Sequence, residues 1–133
     1  MIACAFLVLG GLFVTQCYRR NQQPEEEEEI RETDLLTLKV MRVIDGDTFE
    51  VFYDDEPTSV RIHGIDAPEK AEIGGRESTE ALRRILGNSE VSLVFPEARK
   101  RDSFGRLLAI VYVNDTNVGE WLINNGFARE YRP

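Results

Sequence analysis

Short runs of alternating apolar and polar residues recur along the chain, which is the pattern of half-buried β-strands. These runs are rich in β-branched and aromatic residues. They cover residues 36–44, 48–53, 59–65, 90–95 and 106–113. The first three runs are separated only by "DGD" and by "DDEPT" (54–58), whose Asp, Gly and Pro residues favour turns. The first three strands are therefore predicted to form a meander.

Two other segments repeat apolar residues at helical spacing. Residues 76–86 form the first predicted helix, which Gly87 is suited to end. Residues 118–125 form a shorter second helix that Gly126 follows. Five strands, with one helix after the third and another after the fifth, predict an α+β fold that is mainly β with two helices. The expected architecture is a five-stranded OB-type barrel.

The segments before the predicted barrel have different compositions. Residues 1–18 carry no charge and Arg19-Arg20 follow them, so 1–20 is predicted to be an apolar helix that anchors the protein in a membrane. A cleaved signal peptide, which would make the protein secreted, is the alternative, although a basic start and a small-residue cleavage site are lacking. Residues 21–35 contain five consecutive glutamates and predict a disordered acidic linker. The folded domain is expected over residues 36–133.

Composition limits the possible functions of this domain. Hydrophobic residues at 42% and charged residues at 30% are ordinary for a soluble globular protein. The net charge of -8 is unlike the basic footprint of most nucleic-acid-binding proteins, but acids that hold a divalent cation would reverse the local field. Cys4 and Cys17 are the only cysteines. The predicted domain therefore contains neither a disulfide framework nor a cysteine zinc site.

Acidic residues follow two of the predicted strands. Asp45-Gly46 is a strong turn signal, and Asp47 adds a second acid that a turn does not require. Asp66 and Glu69 come directly after the third strand. In a meander these carboxylates are expected to converge at one edge of the barrel, where a hard cation would relieve their repulsion. Oxygen donors alone indicate calcium or magnesium rather than zinc.

Two arginines lie near the same edge in the predicted fold. Arg61 is in the third strand and Arg106 opens the fifth. Because the guanidinium fork binds phosphate oxygens at two points, two arginines beside a cation are suited to phosphoryl chemistry. Glu69 is the best candidate to activate a water molecule. The basic residues 99–101 (Arg99, Lys100 and Arg101) are either a solvated loop or a grip on a nucleic-acid backbone.

Four stretches, in this order and spacing, resemble the staphylococcal nuclease-like (thermonuclease) family over residues 38–132. They are "VIDGDTFEV", "VRIHGIDAPE", "DSFGRLLAIVYV" and "GEWLINNGFAREY". The resemblance implies an OB-type barrel and a calcium-dependent phosphodiesterase that acts on DNA and RNA. Family enzymes break the bond between phosphorus and the 5′ oxygen, which leaves 3′-phosphate ends.

The resemblance also implies a calcium site. By position, Asp47 and Asp66 become calcium ligands, and Ala67 supplies a third ligand through its backbone carbonyl. Asp45 lies just outside the ligand sphere. Threonine is common in the family at the position of Ala67, and a backbone ligand tolerates that change.

The same comparison implies roles in catalysis and in substrate binding. Glu69 becomes the general base, while Arg61 and Arg106 clamp the scissile phosphate. Tyr131 is the candidate in this chain for stacking on a substrate base. Phe104 stands where a tyrosine is frequent, which removes a polar contact.

Two classes of function follow from these features. The first is a monomeric calcium-dependent nuclease at a membrane, or secreted, with nucleic acid as substrate. The alternative is a non-catalytic module that binds nucleic acid or a protein partner at a membrane. Modules of that kind typically lose the acids or arginines of the site, whereas this chain keeps all of them, which favours catalysis. The preference for DNA or RNA stays open.

Overall fold

The computed structural model describes residues 35–133, which contain eight strands and two helices. The strands are β1 (Leu35–Val43), β2 (Thr48–Tyr53), β3 (Glu56–Ile62), β4 (Ile65–Asp66), β5 (Glu90–Val94), β6 (Leu107–Val113), β7 (Thr116–Asn117) and β8 (Arg129–Glu130). The helices are α1 (Gly75–Leu86) and α2 (Val118–Asn124). The predicted anchor at 1–20 and the predicted linker at 21–35 lie outside the described residues, except Leu35, which opens β1. Neither helix of the described part is long and apolar enough to cross a membrane.

The five long strands close into a barrel. β1 pairs antiparallel with both β2 and β5, and β2 pairs antiparallel with β3. β5 pairs antiparallel with β6, and the parallel pair of β3 and β6 closes the ring. The predicted α+β class, the five-stranded barrel and the two helices are therefore confirmed. Closure pairs every long strand on both sides, so the barrel presents no open sheet edge.

The third strand differs from its predicted bounds. The sequence predicts a turn over 54–58 and a strand over 59–65, whereas only Asp54 and Asp55 turn the chain and β3 begins at Glu56. Both aspartates have positive φ, at 53° and 64°, which is the geometry of a tight two-residue hairpin. Ile65 then belongs to the short strand β4, which pairs with β8.

The core lies inside the barrel and under the two helices. Alternate strand residues are buried, as β6 shows with buried Leu107, Ala109, Val111 and Val113. The helix α2 contributes Leu122, which is 0% exposed. The barrel and both helices thus share one hydrophobic core.

We expect Leu122→Ala to lower the free energy of unfolding by about 2–5 kcal/mol, because it leaves a cavity in the core. Chemical denaturation of the full chain measures the effect. Ile73→Ala is the matched control, since Ile73 is 100% exposed and its loss should change stability by less than about 0.5 kcal/mol. Equal stability of the two variants would contradict the role of α2 in the core.

Candidate active site

The turn between β1 and β2 directs Asp47 into the protein. The backbone N–H of Asp47 donates to Asp45 Oδ1 at 3.1 Å, which closes the turn. A Cβ on Gly46 would lie 2.6 Å from the Cβ of Ser78 in α1 and 2.8 Å from the Cβ of Ala67. Only glycine permits this close packing, so Gly46 brings the turn against the helix.

Both oxygens of the Asp47 carboxylate accept hydrogen bonds. Its Oδ1 accepts a hydrogen bond from the Thr48 hydroxyl at 3.0 Å, and its Oδ2 accepts the Ala67 backbone N–H at 3.0 Å. Arg61 Nη1 lies 3.0 Å from the same Oδ2. The pKa of Asp47 is nevertheless raised to about 6, chiefly because the carboxylate is buried. The Ala67 hydrogen bond and the Arg61 charge lower this pKa but do not offset burial, and neighbouring Asp45 raises it further. The hydrogen bonds and the Arg61 charge therefore offset only part of the cost of burying this carboxylate.

Asp66 is the second carboxylate at this place. It ends β4, and its Oδ1 lies 3.6 Å from Arg61 Nη2. One guanidinium therefore bridges Asp47 and Asp66. The arginine is placed there by strand register, because Arg61 on β3 stands opposite Thr48 on β2.

A further arginine contacts Asp66 from the C-terminal side of the chain. Arg129 donates to Asp66 Oδ2 from Nη2 at 2.7 Å and from Nε at 3.1 Å. The two residues stand opposite each other where β4 pairs with β8. Reasoning from the sequence did not identify Arg129, because nothing local to either two-residue strand signals this long-range pairing.

The predicted phosphate-binding arginines share a cleft of about 380 Å³. Arg61, Asp66, Arg106 and Tyr131 line it, so the structure brings these predicted residues together. His63, to which the sequence assigns no role, lines it as well.

Arg106 is held in this cleft by Asp102. Its Nε donates to Asp102 Oδ2 at 2.8 Å, and the backbone N–H groups of Arg106 and Phe104 both donate to Oδ1 at 2.9 Å. Burial raises the pKa of Asp102, but the hydrogen bonds from Arg106 and Phe104 and the charge of Arg106 outweigh it and lower that pKa overall. Within residues 35–133, neither terminal nitrogen of Arg106 has a hydrogen-bond partner, so both can receive an anion.

Glu69 lies on the loop between β4 and α1. Its backbone N–H donates to Glu72 Oε2 at 2.9 Å, and its carbonyl accepts the Glu72 N–H at 2.8 Å. A Cβ on Gly75 would lie 1.8 Å from the Glu69 carbonyl oxygen, so this loop requires glycine at the start of α1. The Glu69 residue is exposed, and in the described part of the chain it forms no ion pair and does not line the cleft of the two arginines.

The three basic residues of the 99–101 loop have different surroundings. The Lys100 ammonium lies 5.1 Å from the centre of the Phe95 ring. Arg101 and Arg106 line a second cleft of about 260 Å³, which places Arg101 beside the site. Arg99 is exposed and lines neither of these two clefts.

Asp47 and Asp66 are the residues whose chemistry fits a bound cation. Among residues 35–133, no three His, Cys, Asp or Glu side chains form a ready-made metal cluster. The two carboxylates, however, are both within reach of one cationic group, Arg61. A hard cation takes such oxygens and completes its shell with water. Its charge would also offset the burial that raises the pKa of Asp47.

In the presence of a chelator, we expect the Asp47 carboxyl to reduce stability as pH rises. Its pKa in the folded protein, about 6, is above the unfolded value of 3.8, so its contribution is fully present below about pH 4 and is lost as pH rises through 6. Relative to Asp47→Asn, the wild type should lose on the order of 2 kcal/mol between pH 4 and 7. Denaturant unfolding of both proteins measures this difference, from which the titrating groups that do not interact with Asp47 cancel. A difference that stays constant with pH would contradict the prediction.

Comparison with known proteins identifies the family of the chain. The family model described as "Staphylococcal nuclease homologue" matches residues 59–133. The chain is 31% identical to a thermonuclease of Staphylococcus hyicus over 141 aligned positions, which cover 100% of this chain and 80% of that protein. It is 33% identical to endonuclease YncB of Bacillus subtilis, over 71% of this chain and 48% of YncB. It is 30% identical to a micrococcal nuclease of Shigella flexneri, over 71% of this chain and 58% of that protein. The chain belongs to the staphylococcal nuclease family.

Proposed function

We propose that this protein is a calcium-dependent nuclease that hydrolyses phosphodiester bonds in DNA or RNA and leaves 3′-phosphate ends. The observation that carries the proposal is a joint one: Asp47 and Asp66 share the Arg61 guanidinium, and Arg106 lines the same cleft as Arg61 and Asp66. The names of the relatives (thermonuclease, endonuclease and micrococcal nuclease) belong to the same class of enzyme.

The two arginines of the cleft bind the scissile phosphate. Asp102 fixes Arg106 through Nε. The two terminal nitrogens are then left to donate side by side to two phosphate oxygens. Arg61 approaches from the carboxylate side of the cleft. Both charges are permanent, so they also stabilise the additional negative charge that develops at phosphorus.

The substrate strand extends beyond the scissile phosphate on two sides. Tyr131 is half-exposed in the first cleft and offers a ring for stacking on a base. Arg101 shares the second cleft with Arg106, so of the three basic loop residues it is the one placed for a neighbouring phosphate. Lys100 and Arg99 contribute longer-range attraction.

Asp47 and Asp66 would hold the cation, with the Ala67 backbone carbonyl as a further ligand and Asp45 just outside. Calcium bound there would stabilise negative charge on the phosphate oxygens. The Ala67 N–H bond to Asp47 Oδ2 keeps this part of the loop against the carboxylate.

Glu69 acts as the general base. It accepts a proton from a water molecule, whose oxygen attacks phosphorus while the bond to the 5′ oxygen breaks. The 5′ oxygen leaves with a proton from solvent, and the phosphate remains on the 3′ side. Glu69 is exposed on its loop, so its carboxylate is accessible to water.

We also propose that residues 1–20 tether the domain to a membrane, with secretion after cleavage as the alternative, and that the chain acts as a monomer.

We expect the full chain to cleave single-stranded DNA and RNA with calcium and not with a chelator. Glu69→Gln should lower kcat about 100-fold or more, because it removes the proton acceptor but keeps the shape of the side chain. Gel analysis of end-labelled oligonucleotides gives the rate. The products should resist polymerase extension until a phosphatase removes the 3′-phosphate.

Glu80→Gln is the matched control for that variant. Glu80 is an exposed acid on α1 that pairs with Arg83, away from the cleft, so its loss should leave the rate unchanged. A folded wild type that binds the oligonucleotide but does not cleave it would contradict the proposal and support the non-catalytic module.

We expect Arg106→Lys to lower kcat about 100-fold, because an ammonium cannot present two parallel donors to phosphate. Stability should fall by less than about 1 kcal/mol, since the lost pair with Asp102 is partly exposed. Arg42→Lys is the control, because Arg42 also pairs with an acid, Glu50, but lies on the outer surface of β1. Retention of the wild-type rate by Arg106→Lys would contradict the phosphate clamp.

A further inference from the structure

The two oxygens of the Asp66 carboxylate have different surroundings. Oδ2 accepts both hydrogen bonds from Arg129, at 2.7 Å and 3.1 Å. Oδ1 lies 3.6 Å from Arg61 Nη2, which is longer than a hydrogen bond. Arg129 thus occupies one oxygen, and the other lies on the side of Arg61, which also contacts Asp47.

The backbone on both sides of Arg129 fixes its position. The β4–β8 pairing places Arg129 opposite Asp66, and the backbone N–H of Tyr131 donates to the Gly64 carbonyl at 2.9 Å. On the other side, the Ser78 hydroxyl donates to the Phe127 carbonyl at 2.6 Å. The arginine is therefore held by its own strand, independently of its contact with the carboxylate.

We infer that Arg129 is a positioning residue for cation binding: it fixes the Asp66 carboxylate so that Oδ1 is presented to a cation shared with Asp47. This inference rests on the proposed function, because it requires that Asp66 bind calcium. Arg129 itself is neither a ligand nor a group that touches the reacting atoms. It acts through the orientation of Asp66.

Two effects of Arg129 on calcium affinity oppose each other. Its positive charge repels a nearby cation, but its side chain is 81% exposed, so water and salt screen that repulsion. Loss of a group that orients a metal ligand typically weakens metal binding about 10–100-fold. We expect orientation of Asp66 to be the larger effect. Removal of Arg129 would then weaken calcium binding, whereas it would strengthen calcium binding if repulsion were larger.

Calcium titration by isothermal calorimetry, on the full chain at fixed ionic strength, tests this inference. Arg129→Ala should weaken calcium binding about tenfold. The calcium affinity of Arg129→Lys should lie between those of the wild type and Arg129→Ala, because an ammonium supports Oδ2 less well than two guanidinium N–H groups do. Arg132→Ala is the matched control: Arg132 is exposed in the same segment and pairs with Glu130, so its loss should leave calcium binding unchanged.

Cleavage kinetics give an independent readout of the same effect. In Arg129→Ala the calcium concentration for half-maximal rate should rise by the factor seen in calorimetry, while the rate recovers at saturating calcium. A role limited to holding β8 would lower the melting temperature without moving the calcium midpoint.

The failures are distinguishable. If the wild type binds calcium and Arg129→Ala binds it equally or more tightly, the inference is overturned and the proposed function stands. If the wild type binds no calcium, the calcium-dependent function and the inference are both overturned. If Arg129→Ala does not fold, Arg129→Lys decides: an affinity equal to that of the wild type counts against the inference, and a weaker one supports it.

Discussion

The buried carboxylate of Asp47 is the constraint on which the site depends. A charge taken out of water destabilises a fold unless hydrogen bonds and an opposite charge replace its hydration. Thr48, Ala67 and Arg61 supply these, yet burial still raises the pKa of Asp47 to about 6. The fold therefore tolerates an incompletely compensated charge. Such local cost is expected where a site is organised to receive a positive ligand rather than to maximise stability.

The barrel places the other groups around this carboxylate. The antiparallel register of β2 and β3 puts Arg61 opposite Thr48, directly beside Asp47. The parallel pair that closes the barrel sets Val60 beside Leu107. Arg61 follows Val60 and Arg106 precedes Leu107, so both arginines reach the same cleft. Two arginines far apart in sequence thus converge because the sheet is closed. An open meander of the first three strands would have left Arg106 without this neighbour.

The five long strands, the two helices and the short acidic motifs were readable from the sequence because each depends on local pattern. Strand alternation and helical spacing follow from which face is buried, and the Asp45-Gly46 turn needs only its own residues. The support of Asp66 by Arg129 was not readable, because it depends on two strands of two residues each that carry no periodicity. The placement of Glu69 was also less predictable than that of the strands. Its loop conformation rests on a few contacts, among them the close approach of Gly75.

The charges that line the cleft affect how an acidic protein can bind an anionic substrate. Arg61 and Arg106 line the cleft together with Asp66, Glu97 and Asp102, so the arginines are outnumbered by acids. By themselves, the groups that line the cleft therefore oppose the approach of a phosphate strand. A divalent cation on Asp47 and Asp66 would neutralise these two acids and release Arg61 from them to bind phosphate. On this argument a bound cation would favour the binding of an anionic substrate in this cleft. The net charge of -8 by itself disfavours contact with nucleic acid, and a bound cation would lessen that repulsion at the cleft.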